Sequence, residues 1–136
     1  MRFSGTVEDR EEIRELYARY CLAIDQARYD DWRACFTEDG VFESPRFGRC
    51  AGQAGLRHFC SQYQESLGGA RSLHVVANIS LEITGDTATG SAYFLYSHCK
   101  DGRVQQASVG VYADELRKTP AGWRFASRLV SIWGHN

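Results

Sequence analysis

The chain has 136 residues, of which 43% are hydrophobic and 24% charged, and a formal net charge of −1, the profile of a soluble globular protein. That length fits one domain, 1–136, with enough chain to build a core unaided by disulfides or metals. The near-zero charge offers no basic surface for nucleic acid or for an anionic membrane, and no apolar run approaches the roughly 18 residues of a membrane span.

The opening, MRFSGTVEDREE, turns charged at once and has no signal-peptide pattern, so a cytoplasmic protein is expected. Cys21, Cys35, Cys50, Cys60 and Cys99 are odd in number and form no CxxC pair. Reduced thiols are expected rather than a disulfide framework or a zinc site, and none sits in a recognisably activating setting.

The first element, TVEDREEIRELYARYCLAIDQA, reads as a helix. Thr6 can cap it, with Asp9 three residues on as a capping-box variant. Ile13, Leu16, Tyr17, Tyr20, Cys21 and Ile24 recur at the helical period. The Tyr17, Cys21 row extended by four residues lands on Asp25, which therefore continues the buried stripe. YDDWRACF reads as a short second helix with Trp32, Cys35 and Phe36 inward, ended by TEDG. VFES is a short strand, and PRFGRCAGQAG carries turn residues. LRHFCSQYQESL is a third amphipathic helix with Leu56, Phe59, Cys60, Tyr63 and Leu67 on one face, stopped by GGA.

After Gly69 the period changes to two. SLHVVANISLEIT, ATGSAYFLYSHC, VQQASVGVYADELRK and GWRFASRLVSIW read as four strands, joined by the hairpin-type turns TGDT, KDGR and KTPAG. Helices first and a meandering antiparallel sheet after them indicate an α+β fold.

Two residues stand out chemically. Asp25 on an apolar helix face is costly as an unpaired anion. It must cap backbone, pair with an arginine or serve a site. His74 lies in a strand whose odd positions, Leu73 to Ile83, are apolar or small, so it shares a face with Asn78, Ser80 and Glu82. That face is either open to solvent or curved around a partly polar pocket. Together the two have a function: a carboxylate on one imidazole nitrogen fixes the tautomer and raises the basicity of the other. Such a histidine is a general base near neutral pH and can return the proton to a leaving group, with no metal or cofactor required.

Further candidates surround them. His98 ends the second long strand. Tyr20, Tyr96 and Tyr112 could donate to a substrate oxygen. Arg128 either faces a pocket or pairs with Asp25. Glu43 has no assigned direction. No phosphate-binding glycine pattern, GxSxG or HExxH occurs.

Assembled in order, LAIDQARYDDW, SLHVVANISLEI, ATGSAYFLYSHC and GWRFASRLVSIWGHN resemble the SnoaL-like group of the nuclear transport factor 2-like superfamily, over nearly the whole chain. Its pattern is nearest to scytalone dehydratase, lindane dehydrochlorinase and the bile-acid dehydratase. The resemblance implies a cone-shaped α+β barrel, a long helix wrapped by a curved antiparallel sheet, and a deep pocket between them. It implies that Asp25 and His74 form a catalytic dyad, and that His98, Tyr20 and Arg128 match pocket residues of those enzymes. The chain departs from scytalone dehydratase where Ile24, Gly110, Tyr112 and Glu43 stand in place of its functional side chains, so scytalone is not the expected substrate.

The expected activity is a cofactor-independent lyase or isomerase acting on a small hydrophobic ring compound with hydroxyl or carbonyl groups. Asp25 and His74 are catalytic, and Tyr20, His98, Tyr112, Arg128 and Trp32 contact substrate. Ring closure by the same dyad, or a non-catalytic binding or oligomer-forming subunit, are the rivals. The apolar odd face of the first long strand indicates a homo-oligomer, trimer or dimer.

Overall fold

A computed structural model describes residues 2–136. Helix α1 spans Val7–Asp25 and α2 spans Tyr29–Arg33. Strands β1 (Phe36–Ser44) and β2 (Gly48–Ala51) precede α3 (Gly52–Leu67). Four long strands complete the chain: β3 (Arg71–Thr84), β4 (Thr87–Lys100), β5 (Arg103–Thr119) and β6 (Gly122–His135). They form a six-stranded sheet in the order β2-β1-β6-β5-β4-β3. The helices pack on its concave side, the cone-shaped α+β architecture that the resemblance implies.

Three local readings need correction. The sheet is mixed, because β1 lies parallel to β6, and the register of that pairing slips between Phe36 and Val41. The TEDG segment belongs to β1 and does not end α2. Within PRFGRCAGQAG, residues Gly48–Ala51 form an edge strand on β1, and α3 begins at Gly52. Glycine-rich local sequence reads as turn, but pairing with Val41–Ser44 overrides that preference.

Helix α1 starts as expected, with the Asp9 amide donating to Thr6 Oγ1 at 3.0 Å. The capping box is not reciprocal. The Asp9 carboxylate accepts from Trp123 Nε1 at 2.9 Å and lies 3.0 Å from Lys118 Nζ. Its contribution is therefore to tie the helix start to the sheet. Helix α3 ends at Gly68, whose φ of 55° is left-handed.

The uniform odd face of β3 does not exist. Asn78 adopts φ 58°, and the register with β4 shifts between Ala77 and Ser80. This is a β-bulge, and one extra residue reverses which side chains point inward. Before it, Ser72, His74 and Val76 face the concave side; after it, Leu81 and Ile83 do. Leu73 and Val75 are consequently about half-exposed on the convex side, at 49% and 47%. Tyr93, Leu95 and Leu129 are similarly exposed.

The core beneath the helices is aromatic. Tyr17, Tyr20, Trp32, Phe36, Phe42 and Phe125 interlock at ring-centroid separations of 4.9 to 6.5 Å. Set into it is a fully buried ion pair. Arg128 Nε and Nη2 donate to the two Asp114 carboxylate oxygens at 2.8 and 2.9 Å, and Tyr17 Oη donates to Asp114 Oδ2 at 2.5 Å. The guanidinium stacks between Tyr112, 3.8 Å from the ring centre, and Phe125, at 4.2 Å. Removing one partner strands a buried charge, so Asp114→Ala is expected to cost about 3–5 kcal/mol of folding free energy, measured by denaturant unfolding.

Candidate active site

Asp25 is the last residue of α1, the negative end of the helix dipole, where a carboxylate is disfavoured. Three donors compensate. Ser72 Oγ and His74 Nδ1 approach Oδ1 at 2.8 and 2.6 Å, and the His74 backbone amide donates to Oδ2 at 2.7 Å. An ionised carboxylate only accepts, so His74 carries its proton on Nδ1 and leaves Nε2 with a free lone pair. Nε2 has no hydrogen-bond partner among the described residues. The side chains of Asp25 and His74 are 11% and 12% exposed. His74 therefore sits beside both the Asp25 carboxylate and the C-terminal end of α1.

His74 lines a cavity of about 690 Å³ between the helices and the sheet. Its apolar walls include Ile24, Phe42, Phe59, Phe94 and Val130; Tyr63, Tyr96 and His98 supply polar atoms, and Arg46 stands at the wall formed by residues 44–47. Asp25 is behind His74, and among the described residues no Asp or Glu side chain lines the cavity. Such a chamber takes an apolar body and orients it by a few polar groups.

Of the expected substrate contacts, Tyr20, Tyr112 and His98 line this cavity. Arg128 and Trp32 do not. Arg128 is 1% exposed and engaged by Asp114, so it is neither a pocket residue nor the partner of Asp25. Trp32 is completely buried against Phe59 and Phe36, at 5.0 and 4.9 Å, and acts as packing beneath the cavity. Both are large enough to have reached the pocket, but aromatic neighbours close over them. At Gly110, a Cβ would collide with the Ser131 carbonyl and the Phe94 ring, so the position is glycine to permit close packing.

Sequence reasoning overlooked Ser72, which shares the inward face with His74 two residues away. It also overlooked Asp114, although Tyr112, Asp114 and Leu116 alternate on one face of β5. His98 is shifted below the ordinary histidine value by burial, then by the nearby Arg46 charge and by His74 whenever that ring is protonated, and is neutral at pH 7. Among the described residues no three His, Cys, Asp or Glu side chains converge as a metal site, and no helix is long and apolar enough to cross a membrane.

The SnoaL-like domain family matches residues 5–129. The chain belongs to the SnoaL-like family. An uncharacterized protein of Mycobacterium tuberculosis is 32% identical over 126 residues, covering 90% of this chain and 84% of its own. A solved NTF2-like protein with a cystatin-like fold from Novosphingobium aromaticivorans is 29% identical, with a TM-score of 0.86, and the match covers 96% of this chain and 85% of the other. A second protein of that organism, given as a candidate aromatic ring hydroxylase, is 28% identical with a TM-score of 0.82 over 96% and 93% of the two chains. SnoaL-like proteins include enzymes and ring-hydroxylase subunits, so membership leaves the reaction to be argued from the site.

All five cysteines are free thiols. Burial pushes Cys21 and Cys60 up to about 12 and Cys35 up to about 11, and it raises Cys50 as well. Thiols held protonated are poor nucleophiles. In a thiol titration with an aromatic disulfide at pH 8, only Cys99, the one partly exposed thiol, is expected to react promptly in the native protein. All five should react after denaturation.

Proposed function

We propose that this SnoaL-like protein is a cofactor-independent lyase or isomerase. It acts on a small hydrophobic ring compound bearing hydroxyl or carbonyl groups. The observation that carries the reading is the 2.6 Å contact between Asp25 Oδ1 and His74 Nδ1 at the wall of an otherwise mostly apolar cavity. His74 Nε2 removes a proton from carbon next to a carbonyl. Asp25 holds the ring in its tautomer and stabilises the imidazolium. In elimination the same proton leaves with a β-hydroxyl as water; in isomerisation it returns to another carbon. Ring closure uses the same first step and differs in where the carbanion attacks. The free thiols suit a reducing, cytoplasmic setting.

The test is a panel of ring ketones and β-hydroxy ketones. Loss of water is followed by ultraviolet absorbance, and exchange of the α-proton is followed by NMR in deuterated water. His74→Ala and Asp25→Asn are each expected to lower the rate about 10²- to 10⁴-fold. Their circular dichroism and melting behaviour should remain native. A wild-type protein that binds such compounds yet exchanges no α-proton would sink the enzyme reading in favour of a binding or assembly subunit.

We also propose a homo-oligomer formed through the convex face. Val75 pairs with Leu95 and Leu95 with Val109, while Ala77 pairs with Tyr93 and Tyr93 with Val111, so exposed side chains of β3 and β4 run on into the partly buried Val109 and Val111 of β5. A sheet face of this kind suits another copy of itself, in an isologous contact if two copies meet or a heterologous one if three close a ring. Light scattering should give the mass of a dimer or trimer, reduced by Leu95→Arg. A monomeric wild type would overturn the assignment.

A further inference from the structure

A second cluster of titratable groups faces the dyad and has no part in it. Tyr63 comes from α3. Tyr96 and His98 lie two residues apart on β4, with their side chains on the same inward face. Tyr96 Oη lies 2.9 Å from Tyr63 Oη and 2.9 Å from His98 Nε2. The Tyr96 ring centre is 4.7 Å from that of His74, and all four side chains line the cavity. The hydroxyl of Tyr96 is therefore a hub, held by two partners on separate elements and placed next to the base.

We propose that Tyr96 is the hydrogen-bond donor that holds the oxyanion formed on the substrate, and that Tyr63 and His98 are positioning residues that donate to its oxygen. The proposal rests on the Asp25–His74 base reading. A phenol oxygen gives one hydrogen bond and accepts two. With Tyr63 Oη–H and His98 Nε2–H filling both acceptor positions, the Tyr96 O–H is the proton left to point into the cavity. Hydrogen bonds in series polarise one another, so a phenol that accepts two is the stronger donor.

The protonation states fit. Burial raises both Tyr63 and Tyr96 above the ordinary phenol range, so both keep their protons at neutral pH. His98 is neutral there and has a single N–H to give. Tyr96 therefore stabilises the anion by hydrogen bonding and keeps its own proton. Tyr20 and Tyr112 are weaker candidates, because their rings pack on the Arg128 guanidinium and they are only 3% and 2% exposed.

The chemistry closes without a co-reactant. His74 Nε2 takes the α-proton, the C–H electron pair becomes the carbon–carbon double bond of an enolate, and the carbonyl pair moves onto oxygen, where Tyr96 donates. In elimination the oxygen pair returns, the β carbon–oxygen bond breaks, and the departing hydroxide takes the proton from the His74 imidazolium. A donor fixed in advance at the oxygen where charge develops contributes about 10²- to 10³-fold to such a step. The lining suits an anion as well, since it holds the Arg46 side chain and, among the described residues, no Asp or Glu side chain.

The probe is 4-nitrophenol, whose phenolate resembles the enolate in charge and is seen by its absorbance, against 4-nitrotoluene as the apolar isostere. The wild type is expected to bind the phenolate more tightly than the toluene. Tyr96→Phe should weaken phenolate binding about tenfold or more, the size of a hydrogen bond to a charged acceptor, and leave 4-nitrotoluene binding unchanged. Tyr63→Phe and His98→Gln should weaken it in the same direction by less, and they decide the question should Tyr96→Phe fail to fold. The proposal is overturned if the wild type shows no phenolate preference, or if none of these variants alters it. It is also overturned if Tyr96→Phe loses both probes equally. Because binding is read without turnover, the two readings separate. Phenolate preference that follows Tyr96 in a protein exchanging no α-proton removes the base and keeps the donor. Exchange that is indifferent to Tyr96 removes the donor and keeps the base.

Discussion

The ion pair between Arg128 and Asp114 governs how the helix and sheet meet. The two residues are register partners on β6 and β5, both fully buried. Taking two ions out of water costs several kcal/mol each, and only a bidentate contact with further donors and polarisable neighbours offsets it. Tyr17 provides the third hydrogen bond to Asp114, and four aromatic rings surround the guanidinium. Since Tyr17 sits on α1, the pair sets where that helix crosses the sheet. Eight residues further along the same face comes Asp25, which that placement delivers to the start of β3. The anchor and the site are two ends of one helical stripe.

At the far end the constraints are local and chemical. A carboxylate at a helix C-terminus is unfavourable until Ser72 and both His74 donors reach it. Once made, that arrangement locks the histidine tautomer in a side chain that lines the chamber. The aromatic walls are of low polarity, and charges interact more strongly beside them than in bulk water. His74, Tyr96, His98 and Tyr63 form one polar cluster in the lining, and most of the remaining lining residues are apolar or aromatic.

The bulge at Asn78 reconciles two demands on β3. Near its start the strand must turn His74 inward; near its end it must bury Leu81 and Ile83 against the helix. These residues differ in parity, so a regular strand could satisfy one demand only. A single extra residue in left-handed conformation satisfies both, and it leaves Leu73 and Val75 on the convex surface.

Much of this was legible in the chain itself. Helical spacing through Tyr17 and Cys21 determined that Asp25 lies on the buried face, and the change of period after Gly69 determined the order of helices and long strands. Local pattern also marked His74 as a polar residue on a strand. It could not determine strand pairing, because β2 and the parallel contact of β1 with β6 depend on partners far along the chain. Nor could it determine which buried cation meets which buried carboxylate. Arg128 was compatible with Asp25 or a pocket until β5 placed Asp114 opposite it. The hydroxyl hub at Tyr96 likewise required α3 and β4 to converge. Side-chain period is a property of neighbouring residues, whereas the pairing of charges and hydroxyls is a property of distance in space, and only the tertiary structure decided it.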